Sequence, residues 1–338
     1  MSYRSKISAI MAVAAMWGAI SVAGAAQKWD MPVRSNLQNF MTQNISQFAD
    51  EVREKTKGEL DIVLHPEDSL LRQPDVKPAI QRAQVPIGEF FMSMYSNENS
   101  LFGVDSIPFL TRGFSQNADL LKHVRPELEK LLSKQRMKLL FVAPWPPQSF
   151  YSKHPINSLK DFSGVRFRAY NPITARMAEL MGASPVTVQQ AEVSQAFSTG
   201  VIDAMITSPA TGVDTQAWDF VKYFTDVRAF IPWNLVAVNQ RAFDGLDEGT
   251  QQALLDAAAK AEERGWEAVE HLHGQAVEEG QVRDHHADER HGPRNVDTNV
   301  SVLHGRDATQ PDVARTLTSA RPAGSYDRCH DDPSSRRR

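Results

Sequence analysis

Two arginines placed two positions apart are the side chains in this sequence with the clearest chemical use. Arg166 and Arg168 lie in residues 165–170, whose pattern predicts a strand, just before a Tyr170-Asn171-Pro172 turn. A guanidinium presents planar, paired donors, which suit a carboxylate better than a lysine ammonium does. The same residues also serve in ordinary surface ion pairs. In a regular strand both would face the same side, so the spacing leaves open which of them binds an anion.

Other polar and aromatic side chains stand where predicted strands end. Glu89 follows Gly88 at such an end, where its carboxylate can accept hydrogen bonds from a ligand or remain a solvated loop residue. Thr207 and Ser208 end another strand, where hydroxyl groups also serve capping and turn formation. Aromatic residues near these ends either wall a pocket or pack in the core; they are Phe90, Phe91, Trp145, Tyr151 and Tyr170.

The composition excludes several classes of function. A formal net charge of -4 gives no global attraction to nucleic acid, so no nucleic-acid partner is expected. The single cysteine, Cys329, excludes an internal disulfide and a cysteine-based zinc site of the usual kind. The sequence contains no nucleophile elbow, zinc-protease helix, phosphate-binding loop or dinucleotide fingerprint. We therefore expect neither an enzyme nor a cofactor, with a periplasmic hydrolase as the weaker alternative.

The first 26 residues have the pattern of a secretory signal peptide. Arg4 and Lys6 precede an apolar run over residues 7–23, and small residues at 23–25 suit cleavage after Ala25 or Ala26. The alternative is a retained membrane anchor, but the run is at the low end of spanning length and is broken by small residues. Secretion into the periplasm as a soluble protein is the prediction.

The order of elements predicts two α/β lobes with a cleft between them. Strand and helix patterns alternate over residues 27–143, which favours a largely parallel sheet with right-handed crossovers. Three prolines at 144–147 then mark a passage into a second lobe, residues 144–237. Within it we predict a helix over residues 213–224. A strand over residues 229–239 returns to lobe 1, which is completed by residues 238–280 with one long helix. Small ligands usually bind in such interdomain clefts.

The last 58 residues differ from the rest. Residues 281–338 contain ten Arg, no Lys, and five of the ten His residues. No helical or strand period is present, which predicts a poorly ordered tail. Lys is absent from this segment while the frequencies of Arg and His rise, which suggests a reading-frame change near residue 280. A histidine metal site at His285, His286 and His291 is the competing idea.

Up to about Gly280 the chain resembles the DctP-type solute-binding proteins of tripartite ATP-independent periplasmic (TRAP) transporters. The resemblance rests on ordered motifs: FADEV at 48–52, TKG at 56–58, IGE at 87–89, IPFL at 107–110, DFSGVRFR at 161–168, LMGASPV at 180–186, Glu192 with AFSTGVID at 196–203, and Asn239. It implies a two-lobed, hinged binding protein that captures a small organic acid and delivers it to a membrane permease. The binding component of an ATP-driven importer shares this architecture but not these motifs.

The resemblance also implies roles for individual residues. Arg168 matches the arginine that clamps the ligand carboxylate, and Glu89 matches a ligand-facing position. Gln148 stands where some relatives have a second cation, which suggests a ligand with one carboxylate plus hydroxyl or keto groups. The full set of predicted ligand-binding residues is Arg168, Glu89, Gln148, Asn234, Ser208, Thr207, Trp145, Tyr170, Asn171 and Phe91.

Overall fold

The computed structural model describes residues 26–278, and of residues 273–278 only the backbone. The predictions for the signal peptide and for the tail of residues 281–338 lie outside the described residues, apart from Ala26. Within residues 26–278 no helix combines the length and the apolar character needed to cross a membrane.

Lobe 1 begins with two parallel strands joined through a helix. Strand β1 (Gln27–Pro32) pairs with β2 (Leu60–His65), and helix α1 (Phe40–Lys55) connects them. In α1 the apolar residues recur on one face, which is buried, and the side chain of Asn39 caps the first turn. Gly58, with a φ of 83°, allows the chain to reverse after the helix.

Three longer strands form the second sheet of lobe 1, in the order β3-β10-β4. Strands β3 (Ile87–Phe91), β4 (Met137–Pro144) and β10 (Trp233–Asn239) are buried almost throughout, as their continuous apolar sequences indicate. Helices α2 (Gln73–Gln81) and α3 (Phe114–Lys134) precede β3 and β4 respectively.

The prediction of a largely parallel sheet in lobe 1 was wrong. Only β1 and β2 pair in parallel, and β10 runs antiparallel to both of its neighbours. The physical reason is that β10 re-enters lobe 1 from the second lobe and fills the position between β3 and β4. All of β10 from Trp233 onward belongs to this sheet, whereas the predicted lobe boundary lay at 237/238.

Lobe 2 is built on one five-stranded mixed sheet of order β7-β6-β8-β5-β9. Its strands are β5 (Ser149–Ser152), β6 (Arg166–Ala169), β7 (Ser184–Thr187), β8 (Ala204–Thr207) and β9 (Tyr223–Thr225). Its helices are α4 (Pro172–Leu180), α5 (Val193–Ser198) and α6 (Pro209–Asp214). Strand β6 lies parallel to β7 and β8, whereas β5 is antiparallel to β8 and β9.

The helix predicted over residues 213–224 does not form. Helix α6 ends at Asp214, Gln216 adopts a left-handed conformation with a φ of 51°, and the chain continues into β9. Aromatic and β-branched residues at 223–225 suit a strand, and pairing with β5 outweighs the helical pattern.

Two chain segments join the lobes and bond to each other. One runs from β4 to β5 through the prolines, and the other, residues 226–232, leads from β9 to β10. Trp145 N donates to Pro232 O at 2.9 Å, and Gln148 N donates to Phe230 O at 2.9 Å. Helix α7 (Gln240–Asp244) follows, and helix α8 (Glu248–Glu278) packs along α1 and β4. The joined segments form a hinge beside the cleft.

Candidate ligand-binding site

A small cavity lies between the two lobes, where several strands end. It contains about 200 Å³ of space not filled by protein atoms. Its walls combine residues of lobe 1, of the hinge and of lobe 2: Arg34, Phe91, Trp145, Gln148, Tyr170, Thr207, Ser208 and Thr211. Six of these eight belong to the set predicted from the sequence, and they come from distant parts of the chain.

Arg168 is a fully buried cation beside this cavity. Its side chain lies in β6, with the guanidinium carbon 5.1 Å from the ring centroid of the cavity residue Tyr170. The Nε atom donates to Val188 O at 3.0 Å, but neither Nη1 nor Nη2 has a hydrogen-bond partner among the described residues. Burial, together with repulsion from Arg34, lowers the pKa of Arg168 to about 9. A buried guanidinium with two unpartnered nitrogens favours binding of an anion.

Arg166 has a different environment from Arg168. Half of its side chain is exposed, and Nε and Nη2 donate to the Asp203 carboxylate at 2.7 and 2.8 Å. This bidentate pair raises the pKa of Arg166. Of these two arginines, Arg168 is the one that is buried with unpartnered nitrogens among the described residues, and its contact with a ligand stays a prediction.

Arg34 is a second cation at the site, and the sequence reasoning missed it. It follows β1, and its guanidinium carbon lies 5.1 Å from the Phe91 ring centroid and 5.7 Å from that of Trp145. Burial lowers the pKa of Arg34, and the nearby carboxylates of Glu89, Asp68 and Asp214 oppose that shift. The one available signal was its position just after the first predicted strand.

Glu89 and Asn234 support the cavity wall from behind. Glu89 Oε2 accepts a hydrogen bond from the Arg34 backbone N–H at 2.8 Å, and Oε1 accepts one from the Asn234 amide. Asn234 Oδ1 accepts from Trp145 Nε1 at 2.9 Å. Burial raises the pKa of Glu89 to about 7. Both Glu89 oxygens are thus engaged within the protein, and neither residue lines the cavity; their direct contact with a ligand stays a prediction.

Gln148 and Tyr170 form a polar and aromatic corner of the cavity. The Tyr170 hydroxyl donates to Gln148 Oε1 at 3.4 Å, and Gln148 Nε2 donates to Pro146 O at 2.9 Å. Tyr170 and Phe91 pack edge to face with centroids 5.6 Å apart. A neutral amide and a phenol here offer hydrogen bonds without adding charge.

Two predicted residues, Ser208 and Asn171, also cap helices. Ser208 Oγ accepts from Thr211 N at 3.1 Å at the start of α6, and both residues line the cavity. Thr211 was missed because its Ser-x-x-Thr spacing is an ordinary capping pattern. Asn171 Oδ1 accepts from Thr174 N at 2.8 Å at the start of α4, and Asn171 is not part of the cavity wall.

Residues 26–272, whose side chains the structure describes, contain no group of three or more His, Cys, Asp or Glu side chains suited to a metal ion. The proposed metal site at His285, His286 and His291 lies outside the described residues.

Comparison with known proteins identifies the family. The family model for DctP, the bacterial extracellular solute-binding proteins of family 7, matches residues 35–287. The structure of DctP7, a Bordetella pertussis extracytoplasmic solute receptor binding pyroglutamic acid, is 49% identical, with a TM-score of 0.74 over 75% of this chain and 84% of that chain. A marine metagenome TRAP solute-binding protein specific for pyroglutamate is 36% identical, with a TM-score of 0.73 over 76% of this chain and 84% of that chain.

A more distant relative agrees with this assignment. A solute-binding protein of Chromohalobacter salexigens is 24% identical over 255 residues, which cover 73% of this chain and 75% of the relative. The two-lobed fold, the cavity between the lobes and the extent of the family match lead to one conclusion. The chain belongs to the DctP family of bacterial extracellular solute-binding proteins, the TRAP-type receptors that capture small organic acids.

Proposed function

We propose that this protein binds a small monocarboxylate of the pyroglutamate type in the cavity between its lobes and delivers it to a TRAP permease. The observation that carries the proposal is Arg168, buried with Nη1 and Nη2 free of partners beside the cavity residue Tyr170. Relatives of 36–49% identity are described as pyroglutamate receptors, which supports the same ligand class here.

The balance of charge supports a ligand with one negative charge. Arg34 lies in the field of three carboxylates, those of Glu89, Asp68 and Asp214. Arg168 instead experiences repulsion from Arg34 and a weaker attraction from the Glu192 carboxylate. One cation is therefore uncompensated, and one carboxylate would neutralise it.

The rest of the cavity suits the neutral part of such a ligand. Gln148, Thr207, Ser208 and Thr211 offer amide and hydroxyl groups, which can bond a lactam N–H and C=O. Phe91, Trp145 and Tyr170 can enclose the apolar edge of a compact ring. We assign Arg34, held by its aromatic neighbours, to the ligand oxygen opposite the carboxylate.

Titration calorimetry on the purified protein tests the ligand. L-Pyroglutamate should bind with a stoichiometry of one, and orotate, galactonate, galacturonate and gulonate, all ligands of more distant relatives, should bind more weakly. Tighter binding of any of these acids would contradict the proposed ligand. Mass spectrometry of the ligand after incubation should recover it unchanged, because we propose a receptor that does no chemistry on its ligand.

We further propose that the protein acts in the periplasm after removal of residues 1–25 or 1–26. The extracytoplasmic character of the family supports this location. Cell fractionation followed by N-terminal analysis of the mature chain tests it, with Gln27 or Ala26 as the expected first residue. A mature chain that begins at Met1 would contradict the proposal.

A further inference from the structure

Two short hydrogen bonds join lobe 1 to lobe 2. Asn39 Nδ2 of lobe 1 donates to Asp214 Oδ2 of lobe 2 at 2.6 Å. Asn171 Nδ2 of lobe 2 donates to Ser93 Oγ of lobe 1 at 2.7 Å. We call these two bonds the latches. Asn39, Ser93 and Asn171 are buried and Asp214 is half-buried, so water competes less for the Asn171–Ser93 bond than for the Asn39–Asp214 bond.

Each latch residue of lobe 2 is fixed to a residue that lines the cavity. Asp214 is the last residue of α6, whose first turn carries Ser208 and Thr211. Asn171 directly follows Tyr170 and caps α4. A ligand that orders these cavity residues therefore also orders the lobe 2 side of both latches.

On the lobe 1 side, Asn39 is fixed by the helix that it caps. Asn39 Oδ1 accepts from Met41 N at 2.9 Å as the cap of α1, which holds its amide group toward Asp214. A third contact between the lobes, Arg72 with Glu192 at 3.4 Å, differs because 63% and 53% of these side chains are exposed. Exposed pairs of this kind contribute little.

We propose that the two latches set how long a bound acid is retained, as positioning residues that act on closure. This inference rests on the proposed function. Separation of the lobes breaks both bonds, so the latches stabilise the closed form without affecting the first encounter between ligand and open protein. Loss of a latch should therefore accelerate dissociation and leave association unchanged.

Two substitutions remove the latches with little other change. Asn39→Ser keeps a capping oxygen for α1 and the charge of Asp214 but loses the side-chain amide that donates to Asp214. Ser93→Ala removes the acceptor of Asn171 and leaves the Asn171 cap of α4 in place. Asp214→Ala is unsuitable because it would also alter the field at Arg34. The matched control is Asn239→Ser, since Asn239 caps α7 and donates to Ile80 O at 2.8 Å within lobe 1.

Stopped-flow binding of L-pyroglutamate, or of the acid in the calorimetry panel that binds best, is the test. Each latch variant should dissociate roughly 2- to 10-fold faster, the size expected for one hydrogen bond, with an association rate within about twofold of wild type. Asn239→Ser should melt at a lower temperature but release the acid at the wild-type rate.

The outcomes separate this inference from the proposed function. If the wild-type protein binds the acid but both latch variants release it at the wild-type rate, the proposed role of the latches is refuted and the ligand assignment stands. Slower association with unchanged dissociation would also refute them, because it indicates damage to the open form. If wild type binds none of the five acids, both the proposed function and this inference are overturned.

Discussion

At the scale of single residues, the proposed binding depends on where charge is left uncompensated. Arg166 and Arg168 have the same chemistry and share a strand, yet one pairs with Asp203 at the surface and the other is buried with two nitrogens unpartnered. Burial of a charge without a partner is unfavourable in the free protein. An incoming carboxylate removes that penalty, and this difference in free energy favours the bound state.

Arg168→Ala should abolish measurable binding of L-pyroglutamate and leave the fold intact. The variant would leave the ligand carboxylate buried without its charge partner, a loss of about 2 to 5 kcal/mol. Calorimetry measures the loss. Arg166→Ala is the matched control and should bind like wild type, since its partner is Asp203 at the surface. Wild-type affinity in Arg168→Ala would remove Arg168 from the site.

Arg34→Gln should weaken binding by a smaller factor than Arg168→Ala. Its side chain stands against Phe91 and Trp145, and its charge is already opposed by nearby carboxylates. Loss of one charge-assisted hydrogen bond corresponds to about 1.5 to 3 kcal/mol, or roughly 10- to 150-fold in affinity. Calorimetry at equal ionic strength makes the comparison with Arg168→Ala. An unchanged dissociation constant would show that Arg34 does not contact the ligand.

The sequence allowed Arg168 to be singled out because it precedes a strand end and matches a family motif. Arg34 could not be recognised in the same way, since it is significant only through Phe91 and Trp145, which the fold brings next to it from distant positions. Likewise, no sequence pattern shows that both oxygens of Glu89 are used within the protein.

At the scale of elements, local pattern and tertiary pairing compete. The helices α1 and α8 and the strand β4 follow their sequence periods because each buries one continuous apolar face or run. Residues 213–224 do not, because β5 offers a pairing partner that the sequence alone does not reveal. The direction of β10 was also unpredictable, since it depends on how the chain returns from lobe 2.

Asp105→Asn should reduce the pH dependence of stability. Asp105 Oδ2 accepts from Trp233 N at 2.7 Å at the start of β10, and burial raises the Asp105 pKa to about 7 from its ordinary value of 3.8. The folded form holds this proton more tightly than the unfolded chain. The contribution of Asp105 protonation to the free energy of unfolding is therefore complete below about pH 4. It is lost as the pH rises through 7.

Chemical denaturation between pH 4 and pH 8 measures this effect. Asparagine keeps the acceptor for Trp233 N and cannot ionise. The free energy of unfolding of the variant should therefore rise by on the order of 1 to 4 kcal/mol relative to that of wild type as the pH rises through this range. The pKa of Glu89 is raised as well, so part of the slope of unfolding free energy against pH should remain in Asp105→Asn. Asp119→Asn, at an exposed position of α3, is the control and should follow wild type. Parallel curves for wild type and Asp105→Asn would contradict the prediction.

At the scale of the whole molecule, the hinge and the cavity share residues. Gln148 bonds to Phe230 and Ala229 of the other hinge segment through its backbone, and its side chain accepts from the cavity residue Tyr170. A ligand that contacts this corner, as proposed, would act directly on the hinge. The proposed latches lie at the C-terminal end of α6 and at the N-terminal end of α4. Closure of the lobes and binding of the ligand are therefore coupled in one equilibrium.

Ligand binding should consequently stabilise the entire fold and not only the cavity. Since a ligand that binds only the folded form contributes RT ln(1 + [L]/Kd), L-pyroglutamate at 100 times its dissociation constant should add about 2.7 kcal/mol. For a folded part of this size, that corresponds to a rise in Tm of about 5 to 11 °C. Differential scanning calorimetry measures the shift. The rise should be absent in Arg168→Ala and retained in Arg166→Ala, because only the first removes the uncompensated charge.

A single transition that moves as a whole is expected, since Trp145 and Gln148 of one hinge segment are bonded to the other segment at Pro232 and Phe230. Two transitions, of which only one responds to the ligand, would show instead that the lobes unfold independently and that capture in the cleft does not reach both of them.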